Sequence, residues 1–361
     1  MTSPKRTSDT LAVCLSLLGS AGAFGSVATG AAVGPPAAPT IRVVESADGR
    51  PFFTQAGTHL LLQVQGAEPV EIDLPGAMDV VTAARHDDAV WVAGRVDFAE
   101  VRSVFIAEVK PDGSLSPLPV PADREHMRTF PTLLADGGRV GGMVWQEGDR
   151  QEDNSIRAAA WLGEAWGPVE TVSPARGSEQ TGLTATVLAD GSWLAVWAAV
   201  DDEDDLWWSR RRGDTWSEPR RVFADNQVPD ILPRLAPTRD GALLAWTAYD
   251  GNDYRLRLAV LDGDSWVERP LAGGRGAEPV RWLALSDGLA LLHGSVEPEV
   301  WSVVRLDAAG RVLGRHAATP ARSEEPMVVE RGSDLLLRWP TAAGEEAGAE
   351  VRMAPAREPE E

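Results

Sequence analysis

The side chains that could do chemistry in this sequence are mostly carboxylates, and they gather in short loops between apolar stretches. Five such loops read EGDRQEDN (147–154), DDEDD (201–205), DGND (250–253), EPE (297–299) and GEE (344–346). Asp and Asn are common in hairpin loops because they favour turns, so we predict solvated loops. The alternative is a Ca²⁺ site, since hard cations take several carboxylate and carbonyl oxygens. The candidate ligands for this ion are Asp202, Asp204, Asp205, Asp250 and Asp253.

Arginines and tryptophans outside the repeated positions are the candidates for contact with a ligand. The guanidinium group binds a carboxylate in a bidentate manner, and three arginines near the starts of different apolar stretches could converge on one. The tryptophans either follow the DDEDD loop directly or lie beside one of these arginines. The candidate ligand-binding residues are Arg128, Arg234, Arg281, Trp282, Trp207 and Trp208.

No arrangement typical of an enzyme accompanies these residues in the sequence. The five histidines are scattered, without the close spacing of zinc ligands. The sequence also lacks a Gly-x-Ser-x-Gly elbow and a phosphate-binding loop. His293 stands where three similar segments carry Trp, which predicts a core position rather than a catalytic base. We therefore name no catalytic residue and expect no cofactor, with Ca²⁺ as the alternative.

These candidates are set within a repeat in which an Asp-Gly turn, or a similar turn, precedes an apolar strand. Five copies read LADGGRVGGMVW (134–145), LADGSWLAVW (188–197), TRDGALLAW (238–246), LSDGLALLH (285–293) and RGSDLLLRW (331–339), and two weaker ones read SADGRPFF (46–53) and ARHDDAVWV (84–92). Their marker aspartates are separated by 40, 48, 54, 50, 47 and 47 residues. Each unit offers four short strands, which is the pattern of a propeller blade. We predict an all-β fold, a β-propeller of four-stranded blades.

The number of blades follows from the seven turns, which predict seven, with six as the alternative. The end units, 41–76 and 327–353, are short, and they would share one blade if 41–46 paired with the last strands. Such closure removes exposed strand edges. Loops between second and third strands would open on one face of the propeller, which we call the acidic loop face.

A second motif, Gly-x-x-Trp, marks the turn between third and fourth strands in LGEAW (162–166), RGDTW (212–216) and DGDSW (262–266). Glycine allows the positive φ of a tight turn, and the Trp ring fills the apolar layer between blades. Six tryptophans at repeated positions are therefore predicted to be structural: Trp145, Trp197, Trp246, Trp166, Trp216 and Trp266.

The segment SRRRGDTW (209–216) resembles the Asp-box, or BNR repeat, of the sialidase-like propellers, whose pattern is Ser/Thr-x-Asp-x-Gly-x-Thr-Trp. Ser209, Gly213, Thr215 and Trp216 match this pattern, and Arg211 stands in the place of the Asp. The resemblance implies a retaining glycosidase with three arginines that hold a substrate carboxylate, a Tyr nucleophile paired with a Glu, and an Asp acid/base.

The sequence departs from that family in the residues that would carry catalysis. The Phe/Tyr-Arg-Ile-Pro motif is absent, and the two tyrosines, Tyr249 and Tyr254, flank the DGND loop rather than an inner strand. Without a placed Tyr–Glu pair the covalent mechanism lacks its nucleophile. The favoured function is a non-enzymatic binding or scaffold module with its ligand on the acidic loop face. The alternative is a divergent sialidase-like glycoside hydrolase.

Charge and the N-terminal segment restrict the partners and the location. A chain with a net charge of −20 would be repelled by nucleic acid and anionic membranes, which leaves a protein or glycan ligand. Lys5 and Arg6, an apolar stretch (11–24) and SVA (26–28) form a signal-peptide pattern. Lipidation of the only cysteine, Cys14, would make the protein a lipoprotein, but the sequence around Cys14 disfavours this alternative.

These features predict an extracytoplasmic protein, either periplasmic or secreted, that does not insert into a membrane once the signal is removed. The predicted domains are a signal peptide (1–28), a Pro/Ala-rich linker (29–40), the propeller (41–353) and an acidic disordered tail (354–361). Oligomeric state and ligand identity stay open at this point.

Overall fold

Strands make up all the regular secondary structure of the residues that the computed structural model describes. These are residues 52–56, 59–63, 70–74, 78–98, 101–110, 113–121, 127–150, 153–200, 203–224, 228–271, 276–285, 288–296, 299–318, 326–331, 334–338 and 350–355. The predicted signal peptide, the linker and the pairing of 41–46 with the last strands lie outside these ranges. Within them, no helix has the length and apolar character needed to cross a membrane.

The chain forms one antiparallel sheet after another, and we number the sheets with four or more strands as blades. The first sheet has three strands, β1 (Phe52–Ala56), β2 (His59–Gln63) and β3 (Val70–Asp73). Blade 1 contains β4 (Met78–His86), β5 (Ala89–Phe98), β6 (Val101–Val109) and β7 (Leu115–Pro117). Blade 2 contains β8 (Met127–Asp136), β9 (Arg139–Arg150), β10 (Asp153–Ala160) and β11 (Glu170–Ser173).

The second half of the chain continues the same pattern. Blade 3 contains β12 (Gln180–Val187), β13 (Trp193–Val200), β14 (Asp204–Arg212), β15 (Thr215–Trp216) and β16 (Arg220–Arg221). Blade 4 contains β17 (Asp230–Pro237), β18 (Ala242–Tyr249), β19 (Tyr254–Asp262) and β20 (Ser265–Arg269). Blade 5 contains β21 (Glu278–Leu285), β22 (Gly288–Val296), β23 (Glu299–Leu306) and β24 (Val312–Ala318). The last sheet contains β25 (Met327–Arg331), β26 (Asp334–Arg338) and β27 (Glu350–Arg352).

The protein is an all-β propeller of four-stranded antiparallel blades, and its described residues form five blades rather than the predicted seven or six. Among the described strands, the sheets at the two ends have three each. At the C-terminal end the reason is visible in the pairing. The strand that follows β27, β28 (Ala354–Pro355), pairs with β24 of blade 5 instead of completing the last sheet. The predicted disordered tail thus contributes its first two residues to a strand.

An apolar layer fills the space between successive sheets. On β13, Trp193, Ala195 and Trp197 pack against blade 2, whereas Leu194 and Val196 pack against blade 4. Successive side chains of a strand point to opposite faces, so a strand that is covered on both faces must be apolar throughout. This explains the unbroken apolar run of β13.

The repeated tryptophans are structural, as predicted. Trp145, Trp197 and Trp246 are buried in the layers between blades, and Trp166, Trp216 and Trp266 pack against the same layers. His293 is buried as well, which confirms its core position. Burial, together with the nearby charge of Arg315, lowers the pKa of His293 to about 4, so the ring is neutral at pH 7.

Candidate functional site

The first strands of the blades form the inner edge of the propeller. β4, β8, β12, β17 and β21 contact one another in sequence order. Each begins at the acidic loop face, because its first residues pair with the end of the second strand; Gln180, for example, lies opposite Ala199. Each first strand then ends at an Asp-Gly or similar turn on the opposite face. Side chains near the starts of these strands therefore lie around the axis at the acidic loop face.

The first strand of each of the five blades carries a β-bulge at a similar place along the strand. The interrupted pairs are Val80/Thr82, Thr129/Thr132, Thr181/Thr184, Ile231/Arg234 and Pro279/Arg281. Three blades in succession place a left-handed residue inside the bulge: Phe130 with φ 51°, Gly182 with φ 59° and Leu232 with φ 55°. A bulky residue in this region is strained by about 1 kcal/mol or more. Bulges of this kind re-aim the side chains that follow them.

Arg234 and Arg281 both come directly after the bulge, in neighbouring blades, and both are half-buried. Arg234 reaches from blade 4 to blade 5, where its Nε donates to the carbonyl oxygen of Val280 at 3.1 Å. Its Nη1 donates to the carbonyl oxygen of Pro233 at 3.0 Å. The guanidinium group of Arg234 is thus held between the bulges of two blades, at the level of Arg281.

Arg128 does not share this level, so the three predicted arginines are not equivalent. It lies before the bulge of β8, at the position that Gln180, Asp230 and Glu278 occupy in the next three blades. The bulge separates that position from the one held by Arg234. The structure therefore brings two of the three arginines together at one height on the axis and places the backbone of the third closer to the acidic loop face.

Glu278 is a carboxylate of this region that the sequence did not single out. It is half-buried on β21, and burial raises the pKa of its carboxyl group, against the opposing charge of Arg234. Sequence reasoning missed it because it belongs to none of the acidic loops. The sequence did carry a signal for the bulges, because Phe130–Pro131 and Leu232–Pro233 place proline inside a strand, where it marks an edge or a bulge.

Trp282 and Trp208, predicted to contact a ligand, are buried in the layers between blades. The Nε1 of Trp282 donates to the carbonyl oxygen of Arg234 at 3.0 Å, so it positions the backbone of that arginine. Trp208 packs edge-on against Trp266, with ring centroids 6.2 Å apart. Only Trp207 of the three is half-buried, and the guanidinium of Arg176 lies 3.8 Å from its ring centroid.

The predicted calcium ligands of blade 3 form a partly buried acidic group. Asp205 is buried and pairs with Arg221 at 3.1 Å. Burial, followed by the charges of Glu179 and Asp205, raises the pKa of Asp204. Asp202 lies outside the described residues. In the described ranges, no group of three or more His, Cys, Asp or Glu side chains has the arrangement needed to hold a metal.

The predicted ligands of blade 4 belong to a hairpin turn. Asp250 accepts hydrogen bonds from the amides of Asn252 at 3.0 Å and Asp253 at 2.8 Å, and from the Nε of Arg255 at 2.9 Å. These contacts hold the pKa of Asp250 well below its usual range. The carboxylate of Asp250 thus closes its own loop.

Both tyrosines lie at the same hairpin, away from the axial arginines. The ring centroids of Tyr249 and Tyr254 are 5.3 Å apart. The hydroxyl of Tyr249 donates to the carbonyl oxygen of Gly251 at 3.0 Å. Neither residue is on a first strand: Tyr249 ends β18 and Tyr254 begins β19, and Arg234 pairs with Ala245, four residues before Tyr249.

Comparisons with known proteins add the following. No family model and no curated protein sequence matches the chain. Similar solved structures include a puromycin-hydrolysing peptidase of Mycobacterium tuberculosis, at 14% identity over 82% of this chain and 52% of that one, with a TM-score of 0.46. A putative TolB from Agrobacterium tumefaciens is 15% identical over 66% of this chain and 83% of that one, with a TM-score of 0.41. A thermostable family-43 glycoside hydrolase is 12% identical over 76% of this chain and 96% of that one, with a TM-score of 0.39.

The chain spans about half the length of the first of these structures. Identities and TM-scores this low carry no argument about activity. The Asp-box relationship is not confirmed by these comparisons. The chain is therefore identified by its architecture, a β-propeller of four-stranded antiparallel blades.

Proposed function

We propose that this protein is an exported, non-enzymatic binding module. Its ligand enters the axis from the acidic loop face and places an anionic group against Arg234 and Arg281. The observation that carries the proposal is that these two half-buried arginines follow the bulges of neighbouring first strands. The chain has a net charge of −20, so it repels anions in general. Two cations at one level of the axis therefore favour the binding of one specific anionic group.

A carboxylate is the group that these residues suit best. Guanidinium groups recognise carboxylates through paired hydrogen bonds. Glu278 is half-buried on the same first strand as Arg281, and burial raises the pKa of its carboxyl group against the opposing charge of Arg234. The ligand would be an acidic glycan or a protein segment with an acidic side chain, and the surrounding loops would select against highly charged polyanions.

Binding is favoured over catalysis because the tyrosines cannot supply a nucleophile from where they lie. A sialidase-like mechanism needs a Tyr–Glu pair at the axis, and both tyrosines pack together at the blade 4 hairpin. A distant relationship to the Asp-box propellers, as SRRRGDTW suggests, is compatible with a fold that has kept binding alone.

Ligand titration of the full chain, followed by thermal melts and calorimetry, tests this proposal. The probes are N-acetylneuraminic acid and glucuronic acid, with galactose and glucose as neutral controls. Binding at a hundredfold excess over Kd stabilises the native state by about 2.7 kcal/mol. We expect acidic sugars to raise Tm in the wild type and to lose that effect in Arg281→Ala and Arg234→Gln. The matched control is Arg257→Gln, since Arg257 is an exposed arginine paired within blade 4.

Two outcomes would overturn the proposal. One is an acidic-sugar effect that survives in both axial variants. The other is release of the fluorophore from a 4-methylumbelliferyl sialoside or glucuronide at a rate that depends on Arg281, because that would make the protein a hydrolase. Export is tested separately by sequencing the N-terminus of the protein recovered outside the cytoplasm, where we expect it to begin at Thr29.

A further inference from the structure

The propeller axis has a second mouth on the face opposite the acidic loops. A cavity of about 410 Å³ lies where the ends of the first strands of blades 2, 3 and 4 meet the second strand of blade 5 and the turn after its third strand. It is lined by residues 135–137 of blade 2, 187–189 of blade 3 and 237–239 of blade 4, with Leu289 and Ala308 of blade 5. Its size is within the range of small-molecule sites, about 300–1,000 Å³.

The lining combines an apolar surface with two opposite charges. Val187, Leu188, Pro237 and Leu289 supply the apolar part. Asp136 and Arg239 supply the charges, and both are exposed at their turns. They belong to blades 2 and 4, so the turn of blade 3 lies between them.

Neither charge is paired, whereas several other charges at the strand turns of this protein are. In the described part of the chain, the side chains of Asp136 and Arg239 make no hydrogen bond or ion pair. By contrast, Asp190 pairs with Arg210 at 2.6 Å, and other turn aspartates pair in the same way. The cavity is therefore rimmed by an available carboxylate on one side and an available guanidinium on the other.

This combination selects for one class of ligand. A neutral apolar molecule would leave both charges without a partner. A dianion or a dication would meet one charge of its own sign, and the chain's net charge of −20 adds to the repulsion of anions. A short apolar molecule with an ammonium group at one end and a carboxylate at the other satisfies both charges and covers the apolar surface.

We propose that this mouth binds short apolar peptides with free ends. The ammonium group of the peptide would lie at Asp136, its carboxylate at Arg239 and its side chains over Val187, Pro237 and Leu289. The axial arginines do not line this cavity, although Arg234 lies only three residues before Pro237 on β17. The inference does not depend on the function proposed for them.

Calorimetric or NMR titration of the full chain with the dipeptide Leu-Leu tests the proposal. Its N-acetyl and C-amide forms each lack one of the two charges, and each should bind about threefold to fivefold more weakly. Asp136→Asn and Arg239→Gln should weaken Leu-Leu binding by the same factor. Both residues are exposed at turns, so the melting curves of the variants should match the wild type.

Two controls separate this site from other causes. Asp240 follows Arg239 in the chain and is exposed, but it does not line the cavity. Asp240→Asn should therefore leave Leu-Leu binding unchanged. Arg281→Ala should also leave it unchanged, so failure of this proposal and failure of the axial site are distinguishable. Absence of Leu-Leu binding to the wild type would overturn the inference. So would binding that is indifferent to Asp136 and Arg239, or equal binding of the capped peptides.

Discussion

Arg211 on blade 3 is joined to Glu170 on blade 2 by two parallel hydrogen bonds, each 2.8 Å long. The guanidinium of Arg211 also lies 4.6 Å from the ring centroid of Trp193 and 3.3 Å from the carboxylate of Asp214. Arg211 occupies the place where the Asp-box pattern has Asp. In this protein the position therefore carries a contact between blades rather than the acidic residue of that pattern.

The first prediction concerns this contact. Removing either partner leaves the other charge partly buried, because the side chains of Arg211 and Glu170 are only 11% and 25% exposed. We expect Arg211→Gln and Glu170→Gln each to lower the free energy of unfolding by about 1–3 kcal/mol. A double-mutant cycle in urea should give a coupling energy of about 1–2 kcal/mol.

The matched pair for this cycle is Arg257 with Glu268, which lies within blade 4 and is 45% and 48% exposed. Its coupling energy should stay below about 0.5 kcal/mol, because exposed ion pairs contribute little. Equal coupling in the two pairs would contradict the role assigned to Arg211.

The second prediction concerns Asp204, whose pKa is raised by burial and by two neighbouring carboxylates. In the unfolded chain its proton leaves near pH 3.8, and in the folded protein it leaves at a higher pH. Stability therefore falls as the pH rises between these two values, and the whole penalty is present at pH 7. Asp204→Asn should raise Tm at pH 7 by about 2 °C, with a smaller gain near pH 4.

Melts of this variant with and without Ca²⁺ also test the calcium prediction. A Ca²⁺-dependent rise in Tm that is lost in Asp204→Asn would confirm a cation at blade 3. An unchanged rise would contradict it. Asp240→Asn is the control, because that aspartate is exposed.

The third prediction concerns Asp250, whose pKa is lowered by the contacts inside its hairpin. A lowered pKa means that the carboxylate stabilises the folded protein above the unfolded-state pKa of 3.8, and that this stability is lost in acid. Asp250→Ala should lower Tm at pH 7 by about 2–4 °C. Asp250→Asn should lose less, because its amide oxygen still accepts from the two loop amides. Equal losses in the two variants would show that the loop hydrogen bonds contribute nothing.

The fourth prediction concerns His293. Its folded pKa of about 4 lies below the ordinary value of 6.5, so the unfolded chain binds a proton first as the pH falls. Stability is therefore lost between about pH 6.5 and pH 4. From pH 7 to pH 5 this residue should account for about 2 kcal/mol of the lost free energy of unfolding.

Urea unfolding of His293→Leu at the same two pH values isolates this term. The variant should lose less stability than the wild type over that interval, because its side chain does not titrate. The same pH dependence in both proteins would mean that other groups carry the effect.

The fifth prediction concerns the bulge of β12. Gly182 has φ 59°, and a Cβ there would lie 3.0 Å from the Cδ of Pro233 in blade 4. Gly182→Ala should cost about 2 kcal/mol, part from the left-handed backbone and part from displacement of Pro233. Gly191→Ala is the control: Gly191 has φ 77°, and nothing lies within 4 Å of its Cβ position. That variant should lose about half as much stability in urea unfolding.

The strands and layers could be predicted from the sequence because they depend on local patterns. The Asp-Gly turns fix where strands reverse, and the fully apolar run of β13 requires cover on both faces. The same cover explains why Trp208 and Trp282, which were predicted to contact a ligand, lie buried between blades. A tryptophan next to a polar loop can still lie in a layer between blades, and sequence alone does not show which neighbour covers it.

The height of each axial side chain along the propeller axis depends on how the blades pack against one another. No local sequence pattern shows this packing. Arg128 and Arg234 look alike as arginines near strand starts, and only the bulge separates their heights. Asp250 illustrates the same limit. A carboxylate in an acidic loop suits a metal and an Asx-type turn equally well. The sequence alone does not show that Asp250 accepts hydrogen bonds from the amides of Asn252 and Asp253.

The pairing of β28 with β24 has a consequence for how the protein is made. Residues 350–352 complete the last sheet, Met353 is buried, and residues 354–355 join blade 5. One short stretch thus fastens two sheets that are otherwise built from earlier residues. During synthesis from the N-terminus, the outer edge of blade 5 stays uncovered until residue 355 has left the ribosome. Until then, that edge is available to any other strand that meets it.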